Sequence, residues 1–195
     1  DQAEAFITQD SYYGPDRAVP YDVIEKDWQA FNGLFLVVFP STRIDQVQIA
    51  FGADWQEQEN LQRTLRSTQE LVKMDPQNAF AWFNLGTTFI DLQEYAQAAT
   101  AFDKARQLGL PQRMLRYQFG PFAAAFENGS QRDLNLLLDY ALKITPDSEE
   151  ALLWKGRAFL LAGDVDDAET LFKRARKSNP YSREVDAALA SLSDF

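Results

Sequence analysis

The sequence predicts a mainly α-helical fold, in which stacked helical hairpins carry a small α+β segment at the amino terminus. Three observations support this prediction. The chain resembles itself at an offset of 70 residues, four prolines recur at intervals of 35, 35 and 34 residues, and a stretch from residue 54 to 75 contains no proline or glycine. We therefore predict two domains, a small mixed domain over 1–52 and a helical domain over 53–195.

The 70-residue offset aligns small and aromatic residues with partners of the same type. The aligned pairs are Gly86 and Gly156, Phe89 and Phe159, Ala98 and Ala168, Thr100 and Thr170, Phe102 and Phe172, and Ala105 and Ala175. Leu134, Leu138 and Ala141 fall midway between the second-helix positions of these two copies. The pattern predicts three units of about 34 residues from Asn78 to Pro180, with prolines between the helical pairs.

Each unit has a physical reason for its residue pattern. Gly86 and Ala98 lack bulk, which allows the two helices of a hairpin to approach closely. Phe89 and Phe102 are then expected to fill the space between successive hairpins. Because each hairpin buries its apolar face only against the next one, about three units are needed for a stable stack.

The first copy resembles the tetratricopeptide repeat in the order of its key residues. These are Trp82, Leu85, Gly86, Phe89, Tyr95, Ala98, Phe102, Ala105 and Pro111. The middle copy departs from the pattern, because Gly120 and Pro121 stand side by side in its first helix and favour a kink. The resemblance implies a right-handed solenoid whose first helices line a concave groove, and a protein or peptide partner bound in that groove.

Candidate groove residues follow from the same resemblance. The predicted set is Phe80, Phe83, Thr87, Arg116, Tyr117, Leu153 and Arg157. Two registers remain open for the middle copy, one with Met114, Tyr117 and Pro121 and one with Arg116, Phe119 and Ala123. Aromatic and arginine side chains are typical interface anchors, but Phe80 and Phe83 could instead pack on the preceding helix.

Helical caps are predicted at both ends of the array. Residues 54–75 read as one long helix with Asp54 as N-cap and Leu61, Leu65, Thr68 and Val72 on one face. At the other end, Ser182 is the predicted N-cap of a helix over residues 183–193. An exposed end of the stack could also mediate self-association.

The first 52 residues do not share the repeat. We predict a strand over 5–8, a turn over 12–15, a helix over 21–31, a buried strand over 35–39 and a short helix over 44–51. The buried strand is predicted because Phe35, Leu36, Val37, Val38 and Phe39 are apolar and β-prone on both faces.

This segment resembles the end of bacteriocin-processing, papain-like cysteine peptidase domains. The resemblance rests on the string from Asp10 through Tyr13-Gly14-Pro15 and on Tyr21, Trp28, Asn32 and the run ending in Pro40. It implies that Asp10 would orient a catalytic histidine, with that histidine and a nucleophilic cysteine upstream of this chain. Asp10 is equally typical of a simple turn former. Because the chain begins at Asp1 without an initiator methionine, we also expect it to be a processed or excised piece.

The amino-acid composition excludes several classes of function. The chain contains no cysteine and no histidine, which excludes disulfides, Cys/His zinc sites and thiol or histidine catalysis by this chain alone. We therefore predict no enzyme activity, metal or cofactor for it. The net charge of −10 disfavours nucleic acid. No apolar run approaches the roughly 20 residues of a membrane-spanning helix, and the cellular compartment is left open.

Overall fold

The structure is a computed structural model that describes residues 4–194. Residues 1–3 of the predicted small domain and Phe195 of the helical domain lie outside the described residues. The described part begins with an antiparallel hairpin of β1 (Ala5–Asp10) and β2 (Gly14–Pro20). The sequence predicted the first strand and the turn but missed β2, because its glycine, two prolines and charged pair have low β-propensity.

Helix α1 (Tyr21–Trp28) and a 3₁₀ turn (Gln29–Phe31) follow the hairpin, as predicted for this stretch. The predicted strand over residues 35–39 is wrong, because these residues form irregular chain and pair with no strand within residues 4–194. Leu36 and Val38 are both 87% exposed, whereas a strand inside a sheet would bury them. High β-propensity alone does not make a strand when no neighbouring strand provides hydrogen bonds.

The next helices lead into the repeats. A 3₁₀ turn (Ser41–Arg43) precedes helix α2 (Ile44–Phe51), which matches the predicted short helix. A second 3₁₀ turn (Gly52–Trp55) precedes the long helix α3 (Glu57–Met74). Asp54 is not the N-cap of α3, because its carboxylate lies in this turn and accepts a 3.0 Å hydrogen bond from Arg63.

Three hairpins and a terminal helix form the rest of the chain. Their bounds are α4 (Ala79–Asp91) with α5 (Tyr95–Gln107), α6 (Gly120–Glu127) with α7 (Gln131–Ile144), α8 (Glu149–Leu161) with α9 (Val165–Ser178), and α10 (Arg183–Ser191). A last 3₁₀ turn (Leu192–Asp194) follows α10. Successive helices pack against one another along the whole array, which is the stack that the sequence predicted.

Three of the four prolines that separate the hairpins, Pro76, Pro146 and Pro180, are followed two residues later by the N-cap of a helix. Asn78 accepts hydrogen bonds from the backbone of Phe80 and Ala81, Ser148 caps α8, and Ser182 caps α10 as predicted. Arg113 occupies the corresponding position after Pro111 and cannot accept these bonds. The middle hairpin begins with a 3₁₀ turn (Gln112–Arg116), and α6 starts only at Gly120.

Pro121 does not kink a longer helix, because it occupies the first turn of α6, where its missing N–H has no helical partner to lose. Phe122 is fully buried in the core between the middle and third hairpins. The expected kink is thus replaced by a late helix start, which shortens the first helix of this hairpin.

Close helix approach explains the small residues of the first and third hairpins. A Cβ placed on Gly86 would lie 2.7 Å from Cδ1 of Phe102, and one on Gly156 would lie 2.6 Å from Cδ1 of Phe172. Both distances are too short for a carbon contact, so glycine is required for these rings to pack against the first helix. Phe172 is fully buried and Phe102 is 7% exposed, which places both rings in the core.

Candidate functional site

The first helices of the hairpins form one continuous face of the stack. Helix α4 contacts α6, α6 contacts α8, and α8 contacts α10. We call the face formed by α4, α6 and α8 the groove. It is the surface on which the sequence predicted a partner.

The amino-terminal segment covers the α4 end of the groove. The amide Nδ2 of Asn84 donates a 2.8 Å hydrogen bond to the backbone carbonyl of Gln29, and Nδ2 of Asn78 lies 3.3 Å from the side-chain oxygen of Gln29. Ala30 packs against the apolar cluster that contains Phe83. Asn84 is only 3% exposed, so this contact satisfies a polar group that would be costly to bury alone.

A cavity of about 640 Å³ lies between this segment and the groove. We call it the groove cavity. Its lining from the groove consists of Phe83, Asn84, Thr87, Asp91 and Gln118, and its lining from the other side includes Phe31, Phe35, Phe39, Phe51 and Trp55. The volume is within the range of ligand pockets, and the lining combines aromatic rings with polar side chains.

A second cavity of about 560 Å³ lies between α1 and α3. It shares five lining residues with the groove cavity, which are Asn32, Gly33, Asn60, Thr64 and Asn84. The amino-terminal segment therefore touches the repeats at a few points and leaves two large spaces beneath it. This packing differs from the close-packed interior of a protein domain.

Asp91 is the acidic group of the groove cavity. It is the last residue of α4, and burial raises the pKa of its carboxyl above the ordinary aspartate range. The negative end of the helix dipole acts on the carboxylate in the same direction. An occupant that donates a hydrogen bond or carries positive charge would relieve this unfavourable environment.

The other end of the groove carries a cluster around Trp154. The guanidinium of Arg157 lies 4.5 Å from the Trp154 ring centroid, and its Nη2 lies 3.4 Å from Glu184 of α10. The Phe126 and Trp154 rings are 5.5 Å apart between centroids. Burial raises the pKa of nearby Glu150, as do the charges of Glu184 and Glu149, while Arg157 lowers it.

The predicted groove residues occupy different environments. Phe83 is 2% exposed and Leu153 is fully buried, so both side chains belong to the core and present little or no surface to a partner. Phe80 is half-buried and packs against the Phe83 cluster, and Thr87 lines the groove cavity. Arg157 belongs to the Trp154 cluster, Tyr117 is 65% exposed, and Arg116 lines a separate cleft at the edge of the middle hairpin.

Sequence reasoning missed the contact of Asn84 and the position of Trp154. Asn84 interrupts the apolar run from Ala79 to Leu85, which is a signal that a buried amide needs a partner. Trp154 follows Leu153 on a helix that is buried on most sides, and the sequence gives no sign of which neighbour faces the groove.

Asp10 forms a local turn. Its Oδ1 accepts hydrogen bonds from the backbone N–H groups of Tyr12 at 2.7 Å and Tyr13 at 2.9 Å. The bonds from Tyr13 and Tyr12 lower the pKa of this exposed carboxyl. Within residues 4–194, no group of three or more Asp or Glu side chains is arranged to hold a metal, and no helix is long and apolar enough to cross a membrane.

Comparisons with known proteins identify the repeats. Models of the tetratricopeptide repeat match residues 56–109 and 136–192, which together make up more than half of the chain. The unmatched stretch between them contains the late start of α6. Neither match covers the amino-terminal segment, so its resemblance to peptidases has no support from them. No curated protein matches the chain.

Solved structures share the fold at low sequence identity. The MamA RS-1 ArsTM double mutant is 17% identical with a TM-score of 0.59, and the match covers 78% of this chain and 81% of that one. YrrB, described as a TPR protein with an unusual peptide-binding site, is 15% identical with a TM-score of 0.56, and the match covers 89% and 81%. The repeat matches, the stacked hairpins and these similar folds lead to one conclusion: the chain belongs to the tetratricopeptide repeat family.

Proposed function

We propose that this chain is a non-catalytic interaction scaffold that binds a peptide or protein segment in the groove. The observation that carries the proposal is the hydrogen bond from Asn84 to the backbone carbonyl of Gln29. A side-chain amide that holds a main-chain carbonyl recognises a feature common to every peptide. The groove therefore contains a side-chain donor that could bind the backbone of an extended segment. In this structure the donor binds a backbone carbonyl of the same chain.

The two ends of the groove would contribute differently. At α4 the groove cavity has space for an apolar side chain beside Thr87 and Asp91. At α8, Trp154 and Arg157 supply a ring and a guanidinium, the side-chain types that anchor interfaces. An acidic residue of the partner would compete with Glu184 for Arg157. The likeness to YrrB, a peptide-binding protein by description, agrees with this use of the fold.

Selection of peptides from a random display library tests the proposal. We expect selected peptides to bind the Arg157→Ala variant about tenfold more weakly, because a charge-assisted contact is lost. Arg176→Ala is the matched control: Arg176 lies on the second helix α9 and contacts Asp186 of α10 at 3.5 Å, whereas Arg157 contacts Glu184 from the groove. Equal peptide affinities for Arg157→Ala and the unaltered chain would contradict the proposal. An equal loss of affinity in Arg157→Ala and Arg176→Ala would contradict it as well.

The division into domains at residues 52 and 53 is also a proposal. The family match begins at residue 56, just after this division. Limited proteolysis is expected to cut within the exposed residues 34–38 before it cuts any helix of the repeats. First cuts within α4–α9 would contradict it.

A second candidate function is that residues 1–52 complete a papain-like peptidase domain. Asp10 favours it, because two backbone bonds fix Oδ1 while Oδ2 makes no hydrogen bond within residues 4–194. That oxygen would be available to a histidine from another part of the protein. The gene sequence upstream of Asp1 tests this candidate, which fails if no cysteine and histidine in a papain-like arrangement are encoded there.

Self-association through an exposed end of the stack stays a prediction. If the chain self-associates, the molar mass measured by light scattering should rise with protein concentration. A constant monomer mass would exclude it.

A further inference from the structure

A small cleft lies at the edge of the middle hairpin. Its volume is about 170 Å³, and it is formed by the 3₁₀ turn Gln112–Arg116, the end of α7 and the loop into α8. The lining residues are Gln112, Arg113, Leu115, Arg116, Tyr140, Ala141, Ile144, Thr145 and Ser148. It shares no lining residue with the groove cavity.

Two arginines give the cleft its charge. Arg113 and Arg116 are three residues apart in a 3₁₀ turn, a spacing that places both side chains on the same side because the turn repeats every three residues. Neither guanidinium has a carboxylate within 4.0 Å in the described part of the chain. Among the residues that the structure describes, no acidic one lines the cleft, although the chain carries a net charge of −10.

Three hydroxyl groups complete the polar lining. The side chains of Tyr140 and Thr145 make no hydrogen bond within residues 4–194, and Ser148 Oγ accepts one from Ala151 while its own O–H stays available. Every polar side chain of the lining can therefore donate to a ligand. Leu115, Ala141 and Ile144 supply an apolar side to the same cleft.

We propose that this cleft binds a phosphate monoester. Two guanidinium groups and three hydroxyls suit a group with three acceptor oxygens and nearly two negative charges better than they suit a carboxylate. The ester carbon chain or ring would lie against Ile144 and Leu115. A single phosphate group meets only this local positive charge, whereas a nucleic-acid backbone would also meet the acidic remainder of the chain. The site goes beyond the proposed function, because it lies apart from the groove.

Titration of the full chain with phenyl phosphate, inorganic phosphate and benzoate, followed by amide NMR shifts, tests the site. We expect phenyl phosphate to shift residues of the 3₁₀ turn and to bind more tightly than inorganic phosphate or benzoate. Arg113→Ala and Arg116→Ala should each weaken binding about tenfold, as expected for the loss of a charged hydrogen-bond donor.

Arg132→Ala is the matched control, because Arg132 is exposed on α7, outside the cleft, and its removal changes the net charge by the same amount. It should leave phenyl phosphate affinity within about twofold. Equal losses in Arg132→Ala and Arg116→Ala, no shifts at about 10 mM phenyl phosphate, or benzoate binding as tight as phenyl phosphate would overturn the proposal.

Two further measurements identify the source of the phosphate group and test whether the cleft is independent of the groove. A phosphotyrosine peptide that binds more tightly than phenyl phosphate supports the site and assigns it to a phosphorylated protein, while equal affinities support a small phosphate ester. The Arg157→Ala variant should bind phenyl phosphate normally, so a failure of the groove proposal leaves this result interpretable. A loss of phenyl phosphate binding in Arg157→Ala would contradict the separation of the two sites.

Discussion

The repeats and the amino-terminal segment bury their side chains to very different extents. Leu134, Leu138 and Phe172 are fully buried between hairpins. From residue 4 to residue 67 no described side chain is buried, and the first buried one is Thr68 in α3. The difference teaches that the hydrophobic free energy of folding comes from the stack, and that the segment over the groove is held by few contacts.

The largest expected effect is a difference in stability loss between two Phe→Ala substitutions, one in each region. Phe172→Ala removes a fully buried ring beside Gly156 and should lower the free energy of unfolding by about 3–5 kcal/mol. Phe35→Ala makes the same change at a ring that is 55% exposed and should cost less than about 1 kcal/mol. Urea unfolding followed by circular dichroism measures both, and equal losses would remove the distinction between the regions.

An intermediate effect is expected at the contact between the regions. Asn84→Ala removes the donor to the Gln29 carbonyl and should cost about 1 kcal/mol of stability. The amides of Asn32 and Gly33, which bond back to Gln29 and Trp28, should exchange faster in this variant.

Asn135→Ala provides the control for this change, because it makes the same substitution at an exposed site on α7. It should leave exchange at Asn32 and Gly33 unaltered. If Asn84→Ala also leaves these amides unaltered, the hydrogen bond does not hold the segment on the groove.

The smallest effect depends on pH. The pKa of Asp91 is raised by burial, so the ionised carboxylate destabilises the folded chain at neutral pH. Asp91→Asn should therefore raise stability by up to about 0.5 kcal/mol at pH 7, a figure that allows for solvent screening. The gain should vanish at about pH 3, where the carboxyl is protonated in the folded and unfolded chains. Urea midpoints at both pH values measure it, and a gain that is larger at low pH would contradict the assignment.

The repeats could be predicted from sequence because the first and third units place the same residue types at the same helix contacts and caps. Gly86 and Gly156 each face a phenylalanine ring on the second helix of the same hairpin, and Asn78 and Ser148 are N-caps that follow prolines. The middle hairpin shows the limit of this reasoning. The position after Pro111 that corresponds to the other N-caps holds Arg113, which cannot accept the N–H bonds that Asn78 and Ser148 accept, and α6 begins only at Gly120.

The amino-terminal segment and the groove could be predicted only in part. Residues 35–39 have the propensity of a buried strand, but a strand also requires a partner elsewhere in the chain, which local sequence does not report. Phe83 and Leu153 fit the groove positions of the repeat but are covered by neighbouring elements. The position of Asn84 in an apolar run indicates a buried amide, but local sequence does not identify its partner, the carbonyl of Gln29, which lies 55 residues away in the chain.

Amide hydrogen exchange tests the contrast between stack and segment most directly. Residues 35–39 pair with no strand in the described part of the chain and should exchange close to the rate of an unstructured chain. The amides in the centres of α4, α8 and α9 should exchange at least about a thousandfold more slowly. Comparable protection of residues 35–39 and these helices would contradict the account, as would rapid exchange throughout the repeats.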